Sequence, residues 1–312
     1  MVDMMKKVFI FIILILALTG CDNQEYYSKN LFYMDTVINI KIYDNDKEKV
    51  DKAFEEIEKI YQKYENLTNF YDENSELSKL NNDINTDISD ELWQLIKIGV
   101  DWYDKSNGLL NINIGNLTKI WHDFRENPIE LPNVDNVEIN KINIENDQIT
   151  NSEVSIDLGS IAKGYVTELA GDYLEETGLE YYIINAGGNV KTGKSHKQYY
   201  NIGIASPISN DTFEIVKGEN ISVVTSGGYE RFYEYDGILY HHIIDPNTKY
   251  PANYMKSVTV IGEDSGECDA LSTILFLMDI ESGQEFIKDY NVDVIWFTND
   301  NEVIKSDGFR YE

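Results

Sequence analysis

The chain has 312 residues, with 55 acidic side chains against 26 basic ones and a formal charge of −29 at neutral pH. So negative a surface repels polyphosphate backbones, and no polybasic patch offers anionic lipid a docking site, which excludes nucleic-acid binding and electrostatic membrane binding as functions. A hydrophobic fraction of 42% supplies a core for one large domain or two small ones.

The N-terminus carries Lys6-Lys7, then an apolar run from Val8 to Leu18, then Thr19-Gly20-Cys21. A basic start and an apolar stretch too short for a comfortable membrane span match a secretory signal. Leu18-Thr19-Gly20-Cys21 also resembles a bacterial lipobox, in which Cys21 becomes the lipidated first residue; the alternative is an uncleaved anchor or a chance cysteine. The expected organisation is a lipoprotein signal peptide over 1–20, a polar tether over 21–30 and one domain over 31–312. This puts the body on the extracytoplasmic face of a bacterial cell membrane, held through lipid. With Cys21 lipidated, Cys268 is left alone and no internal disulfide forms.

Along the body, Thr36 to Tyr43 alternates as a half-buried strand does. Lys47 to Tyr64 spaces Val50, Phe54, Ile57, Tyr61 and Tyr64 as a helix, and a second helix starts at Ser89 and stops near Asn107-Gly108. Residues 127–151 read as a peripheral hairpin region. From Val154 the pattern is strand, helix over Ile161 to Glu176, strand over Tyr181 to Ile184, and further strands through Ile244. A strand over Ser257 to Ile261 and a helix from Asp269 to Met278 follow. Val292 to Phe297, Glu302 to Lys305 and Gly308 to Tyr311 close the chain as a meander. Many short strands beside separate helices predict an α+β fold.

Five short motifs carry the chemistry: DLGSIAKG from Asp157, NAGGN from Asn185, TSGGYERF from Thr225, HHIIDP from His241 and CDALST from Cys268. Asp269 and Thr273 stand four apart on a predicted helix and share a face. A carboxylate and a hydroxyl there suit Mg²⁺ that also takes diphosphate oxygens, or else Asp269 simply caps the helix. The Asp157 motif opens a helix whose free N–H groups and dipole face an anion, with Lys163 as an added cation, or is an ordinary capped turn. The paired glycines allow close approach of a ligand or form tight turns. In an alternating strand His241 and His242 point to opposite sides, so one of them reaches the site while Asp245-Pro246 starts a turn. A histidine near a metal-bound diphosphate can position or deprotonate a hydroxyl, or it holds a loop by hydrogen bonds. His122 and His196 read as surface residues.

These motifs, their order and the lipobox resemble the ApbE family, the FAD:protein FMN transferases. The resemblance covers nearly the whole chain after the signal, from Met34-Asp35-Thr36 through Tyr71-Asp-Glu-Asn-Ser-Glu-Leu-Ser and Gly108-Leu-Leu-Asn-Ile-Asn-Ile-Gly-Asn-Leu to the last strands. It implies a T-fold-like architecture of mainly antiparallel sheets flanked by helices. It also implies Mg²⁺-dependent transfer of FMN from FAD, the substrate, to a threonine or serine of a target protein, with AMP released. By motif, Met34, Tyr71, Leu109, Leu110, Asn111, Asp157, Lys163 and His242 contact FAD, while Thr225, Ser226 and Tyr229 shape the flavin or target groove. Mg²⁺ is held by Asp269, Thr273 and an oxygen of Ser160. His242 handles the attacking hydroxyl, with Asp245 as its orienting partner. Targets implied are flavin subunits of Rnf- or Nqr-type complexes or flavinylated lipoproteins; the alternative is a lipoprotein that binds flavin or hydrolyses FAD without modifying proteins. Three positions depart from the family pattern: Asp35 where glycine is common, Asn111 where aspartate is common, and Lys249 in place of a glycine. If position 249 needs a positive φ, lysine there carries a strain of about 1 kcal/mol.

Overall fold

The computed structural model describes residues 26–229 and 231–311, so the expected signal and Cys21 lie outside the described residues. The chain opens with a hairpin, β1 (Tyr27–Tyr33) and β2 (Thr36–Ile42), then α1 (Lys47–Thr68), α2 (Glu76–Asn82), α3 (Asp90–Lys105) and α4 (Gly115–Glu126). A minimal hairpin, β3 (Ile144–Glu145) and β4 (Gln148–Ile149), precedes α5 (Ala162–Glu176). Seven strands follow: β5 (Tyr182–Ala186), β6 (Asn189–Thr192), β7 (Tyr200–Ala205), β8 (Thr212–Gly218), β9 (Ser222–Gly227), β10 (Phe232–Tyr235) and β11 (Ile238–His241). The chain ends with β12 (Met255–Gly262), α6 (Ser265–Phe276), α7 (Ile280–Phe286), β13 (Asp293–Thr298) and β14 (Val303–Lys305).

Eight strands form one sheet in the order β1-β2-β5-β6-β9-β12-β13-β14, antiparallel at every pairing. The α+β reading therefore holds, with helices laid against antiparallel sheet. The main core joins β2, α1, α5, β12 and α6 through Ile38, Ile57, Val166, Val258 and Leu271, all fully buried. Each such side chain contributes about 1.5–3 kcal/mol by leaving water. A smaller core under the β7–β8 hairpin gathers Ile202, Val216 and Ile261.

Turn chemistry sets the registers. Tyr33 pairs with Thr36, so Met34 and Asp35 form a two-residue loop with both φ values positive, 54° and 56°. Such a loop matches strand twist, but only at a local cost for residues bearing a Cβ. Gly187-Gly188 makes the same kind of turn between β5 and β6, with φ of 56° and 85°. A Cβ on Gly187 would lie 1.9 Å from Thr36 Oγ1, so this glycine pair serves both a tight turn and a close strand approach. Lys249 sits at φ 64°, the strained geometry foreseen for it.

Several sequence expectations are corrected. The tether is shorter than 21–30: from Tyr27 the chain is already β1, and Lys29 reaches Glu58 of α1 at 2.6 Å. Val154 to Leu158 belongs to no strand; instead Asp157 N donates to Ile112 O at 2.8 Å and Gly115 N to Ser155 O at 2.7 Å. Gly308 to Tyr311 is not a strand either, since Phe309 and Tyr311 pack on the smaller core without ladder bonds. Helices α2, α4 and α7 were not foreseen.

Candidate active site

The site forms where α5, α6, the end of α4 and the segment after β11 converge. Helix α6 is capped by Asp264, whose side chain accepts from Glu267 N at 2.6 Å, so the helix starts a turn earlier than its sequence suggested. Asp269 therefore lies inside the helix and caps nothing on it. It instead closes the start of α5, which has no side-chain cap of its own: Gly164 N donates to Asp269 Oδ2 at 2.7 Å. A carboxylate facing a helix N-terminus is stabilised by the dipole there. Only a glycine fits at 164, because a Cβ would come 2.4 Å from Asp269 Cβ and 2.5 Å from Ser265 O.

That arrangement leaves Asp269 Oδ1 open. Its nearest cation, Lys163 Nζ, stands 3.9 Å away, beyond a hydrogen bond. Burial raises the Asp269 pKa, opposed by Lys163 and by the Gly164 amide. Thr273 follows one turn later on the same face, half-buried, and Ser160 lies in the turn that leads into α5. Carboxylate, hydroxyl and a backbone carbonyl are a hard oxygen set of the kind Mg²⁺ takes. Among the described residues no three His, Cys, Asp or Glu side chains gather into a metal cage. One carboxylate with open coordination suits an ion that shares its shell with substrate phosphates.

Asp157 turns inward ahead of α5. Its Oδ1 accepts from Gly159 N at 2.8 Å, and Thr118 of α4 also bonds the carboxylate. Burial raises its pKa, while Arg231 pulls the other way. Tyr71 stands nearby, half-exposed, with its ring 4.5 Å from that of His122; burial and the Asp157 charge push its hydroxyl up to about 12. His122 thus belongs to the site's wall rather than to an isolated surface position, whereas His196 stacks on Tyr181, 3.7 Å between centroids.

The two histidines divide as alternation requires. His241 is buried and uses both ring nitrogens: Nε2 donates to Ala252 O at 2.7 Å and Nδ1 accepts from Ile243 N at 3.1 Å. A Cβ at Gly228 would lie 2.5 Å from its ring, so the second glycine of TSGG makes room for it. His242 has a buried Nδ1 with no hydrogen-bond partner; its ring meets the Arg231 backbone and stands edge-on to the His241 ring. Burial, then Arg231, His241 and Arg125, bring its pKa down to about 3, so the ring is neutral near pH 7 with a lone pair to offer. Asp245 does not orient it. Its oxygens accept from Asn247 N at 2.8 Å and Tyr254 Oη at 3.2 Å, fixing the turn after the histidines.

The remaining candidates are placed as follows. Met34 is held by its amide on Glu65 Oε2 at 2.7 Å. Leu110 is sunk in the main core and Leu109 packs at its edge. Asn111 spends its side chain on Ile139 O and Asn113 N, at 3.0 and 2.9 Å, bracing the loop before α4. Thr225 Oγ1 meets Thr259 Oγ1 at 2.9 Å, Ser226 Oγ meets Ser272 Oγ of α6 at 2.8 Å, and Tyr229 packs over Gly227. Sequence reasoning missed Arg125 and Arg231. Both influence His242, and the chain has only three arginines, which was the available signal.

The profile of the ApbE family matches residues 34–296. A Klebsiella pneumoniae (strain 342) protein named FAD:protein FMN transferase is 30% identical over 305 residues, covering 91% of this chain and 93% of that protein. A Vibrio cholerae protein of the same name is 27% identical, with 95% and 93% covered. The crystal structure of an ApbE protein from Thermotoga maritima superposes with a TM-score of 0.83 at 27% identity, covering 91% of this chain and 97% of that one. The flavin transferase ApbE from Vibrio cholerae superposes at 0.79 and 25% identity, covering 91% and 98%.

Proposed function

The chain belongs to the ApbE family, and on that premise we propose that it is an FAD:protein FMN transferase acting on extracytoplasmic proteins from a lipid anchor at Cys21. FMN passes from FAD to a threonine or serine hydroxyl, and AMP leaves. Acceptors of the Rnf or Nqr flavin-subunit type, or flavinylated lipoproteins, are the targets that fit this location.

The observation that carries the mechanism is the neutral His242 ring with its buried, unpartnered Nδ1. A hydroxyl entering the site donates its hydrogen bond to that nitrogen, which takes the proton as the oxygen bonds to phosphorus. Lys163 and the positive end of the α5 dipole favour the diphosphate. Asp269, Thr273 and the Ser160 carbonyl would hold Mg²⁺, which neutralises diphosphate charge and polarises phosphorus when bound. Tyr71 and Met34 would serve as walls for the flavin dinucleotide.

The test is incubation of the protein with FAD, Mg²⁺ and a threonine-bearing acceptor domain, read by intact mass. An acceptor mass gain equal to FMN, abolished by EDTA and by Asp269→Ala, is expected. Free FMN and AMP with every acceptor unlabelled would replace the transferase reading by FAD hydrolysis, and full activity in Asp269→Ala would remove the metal assignment.

A further inference from the structure

At the end of the main sheet where β1 begins, aromatic side chains meet in a run of ring contacts. Tyr26 lies 5.6 Å from Tyr43 between centroids, Tyr43 lies 6.2 Å from Tyr200 and 6.3 Å from His196, and His196 stacks on Tyr181 at 3.7 Å. Strand pairing gathers them: Tyr43 follows β2 with its amide on Tyr181 O at 2.9 Å, and Tyr200 opens β7 with its hydroxyl donated to Lys194 O at 2.8 Å. The cluster is not a core. Tyr26 is 52% exposed, Tyr199 beside Tyr200 is 38% exposed, and His196 is exposed too. Lysines ride over its edge, with Lys41 Nζ 5.6 Å from the Tyr26 ring centre and Lys217 Nζ 5.9 Å from that of Tyr199. Two carboxylates at this end are engaged, Glu180 by Lys194 at 2.8 Å and Glu219 by the Ser195 amide at 2.7 Å. Apolar rings with polar tips, flanked by long lysine stems, suit a membrane–water boundary. The chain itself says which surface this end faces. Only four residues, Asp22 to Glu25, separate Cys21 from Tyr26, and even fully extended that span reaches no more than about 17 Å. A lipid on Cys21 therefore holds this end of the sheet beside the headgroups.

We propose that the tyrosine cluster at the start of β1 is a seat on the bilayer that carries the lipid anchor, and that it turns the active site away from the lipid. It rests on the lipid anchor at Cys21 proposed above. Strand β1 runs seven residues from this end to Tyr33, a length of about 20 Å at the rise of a strand. At its far end the Met34-Asp35 turn meets Arg231, with 3.9 Å between Asp35 Oδ2 and Arg231 Nη1. Seated, the molecule presents its site to acceptors whose hydroxyl stands roughly 20 Å above the headgroups. The anchor and the seat act together, because a tethered patch meets the bilayer at high effective concentration. The seat works by burying rings at the interface rather than by charge, in keeping with the acidic chain.

The experiment places the lipidated full chain in vesicles of phosphatidylethanolamine with a quarter phosphatidylglycerol and a headgroup spin label as quencher. A fluorophore is attached through Lys197→Cys, beside the cluster, or through Asp35→Cys, at the far end of β1; both positions are exposed, and Cys268 is buried. The seat requires severalfold stronger quenching at position 197 than at position 35. Tyr26→Ser combined with Tyr199→Ser should lower the ratio of seated to free body at least about tenfold. Both rings are exposed, so the core is spared. Equal quenching at the two positions would overturn the seat, as would quenching at 197 that survives the paired serine substitution. Serine substitution that instead breaks up a dimer, read by light scattering, would give the face to a second copy of this chain and overturn the seat as well. Intact mass showing no lipid on Cys21 would fell the anchor reading and the seat with it. Lipidated chain that floats with the vesicles while position 197 stays unquenched would fell the seat alone.

Discussion

Burial and the two guanidinium groups keep the His242 imidazole neutral far below the pH where histidine ordinarily titrates. A base acts in its unprotonated form, which is lost only as pH falls through the pKa, here about 3 against an ordinary 6.5. The pH profile of kcat/KM reports the free enzyme, so His242 contributes no acid limb between about pH 7 and pH 5. An acid limb centred near the ordinary histidine value would refute this assignment. His242→Ala should lower kcat by roughly 10²–10⁴ and leave FAD affinity nearly intact; equal losses in both would make the ring a binding group. At this scale the sequence was informative where chemistry and spacing coincide. His241 and His242 were separable because neighbours on a strand face opposite ways, and Lys249 could be marked as strained if its φ was positive. Arg125 could not be found this way, because nothing in its local sequence says that α4 aims it into the site. Asp245 misled because its neighbour in sequence is His242, while its oxygens are taken by the turn it begins.

Helix α5 meets α6 across a single glycine, and the metal-facing carboxylate depends on that contact. Gly164→Ala adds a methyl where Asp269 Cβ and Ser265 O already stand within 2.5 Å of the new carbon. Both neighbours belong to helix backbone or its first side-chain atom, so neither yields without moving α6. The variant should lose about 1–3 kcal/mol of stability, as overpacked sites do. Its Mg²⁺ requirement should shift to higher concentration as well; a urea melt and a Mg²⁺ titration of turnover check the two effects. Unchanged Mg²⁺ dependence in a destabilised variant would show that the helix contact does not position Asp269. Elements with clean periodicity, α1, α3 and α5, were legible from sequence because their buried residues recur at helical spacing and a cap or glycine marks an end. Helix α4 was not. It starts at Gly115 behind Ile114, which has no capping side chain, and the alternating Ile112 and Ile114 before it look like strand. Its own signal, Leu117, Trp121 and Phe124 buried on one face, begins only afterwards. The reverse error occurs at Phe309 and Tyr311, whose alternation puts apolar rings on a core without any ladder to join.

Over the whole molecule, a charge of −29 surrounds a site that carries Lys163 and Arg125, partly buried, and Arg231 at its edge. The two fields act over different ranges. FAD, an anion, approaches through the negative envelope, where solvent screens charges within a Debye length of about 8 Å at physiological salt. Once inside, it meets cations that are partly desolvated and far less screened. Composition alone gives the first field and excludes nucleic acid, but it cannot show the second, because Arg125, Lys163 and Arg231 lie far apart in sequence and meet only through the fold. Raising salt from low values toward about 0.15 M should therefore increase the association rate of FAD by relieving long-range repulsion. The dissociation rate should rise less, because Lys163 and Arg125 are partly buried and so less screened than surface charge. Stopped-flow binding at several ionic strengths separates the two rates. An association rate that falls as salt is added would mean that the cations at the site already dominate the field outside it, and that the acidic surface plays no part in how the substrate arrives.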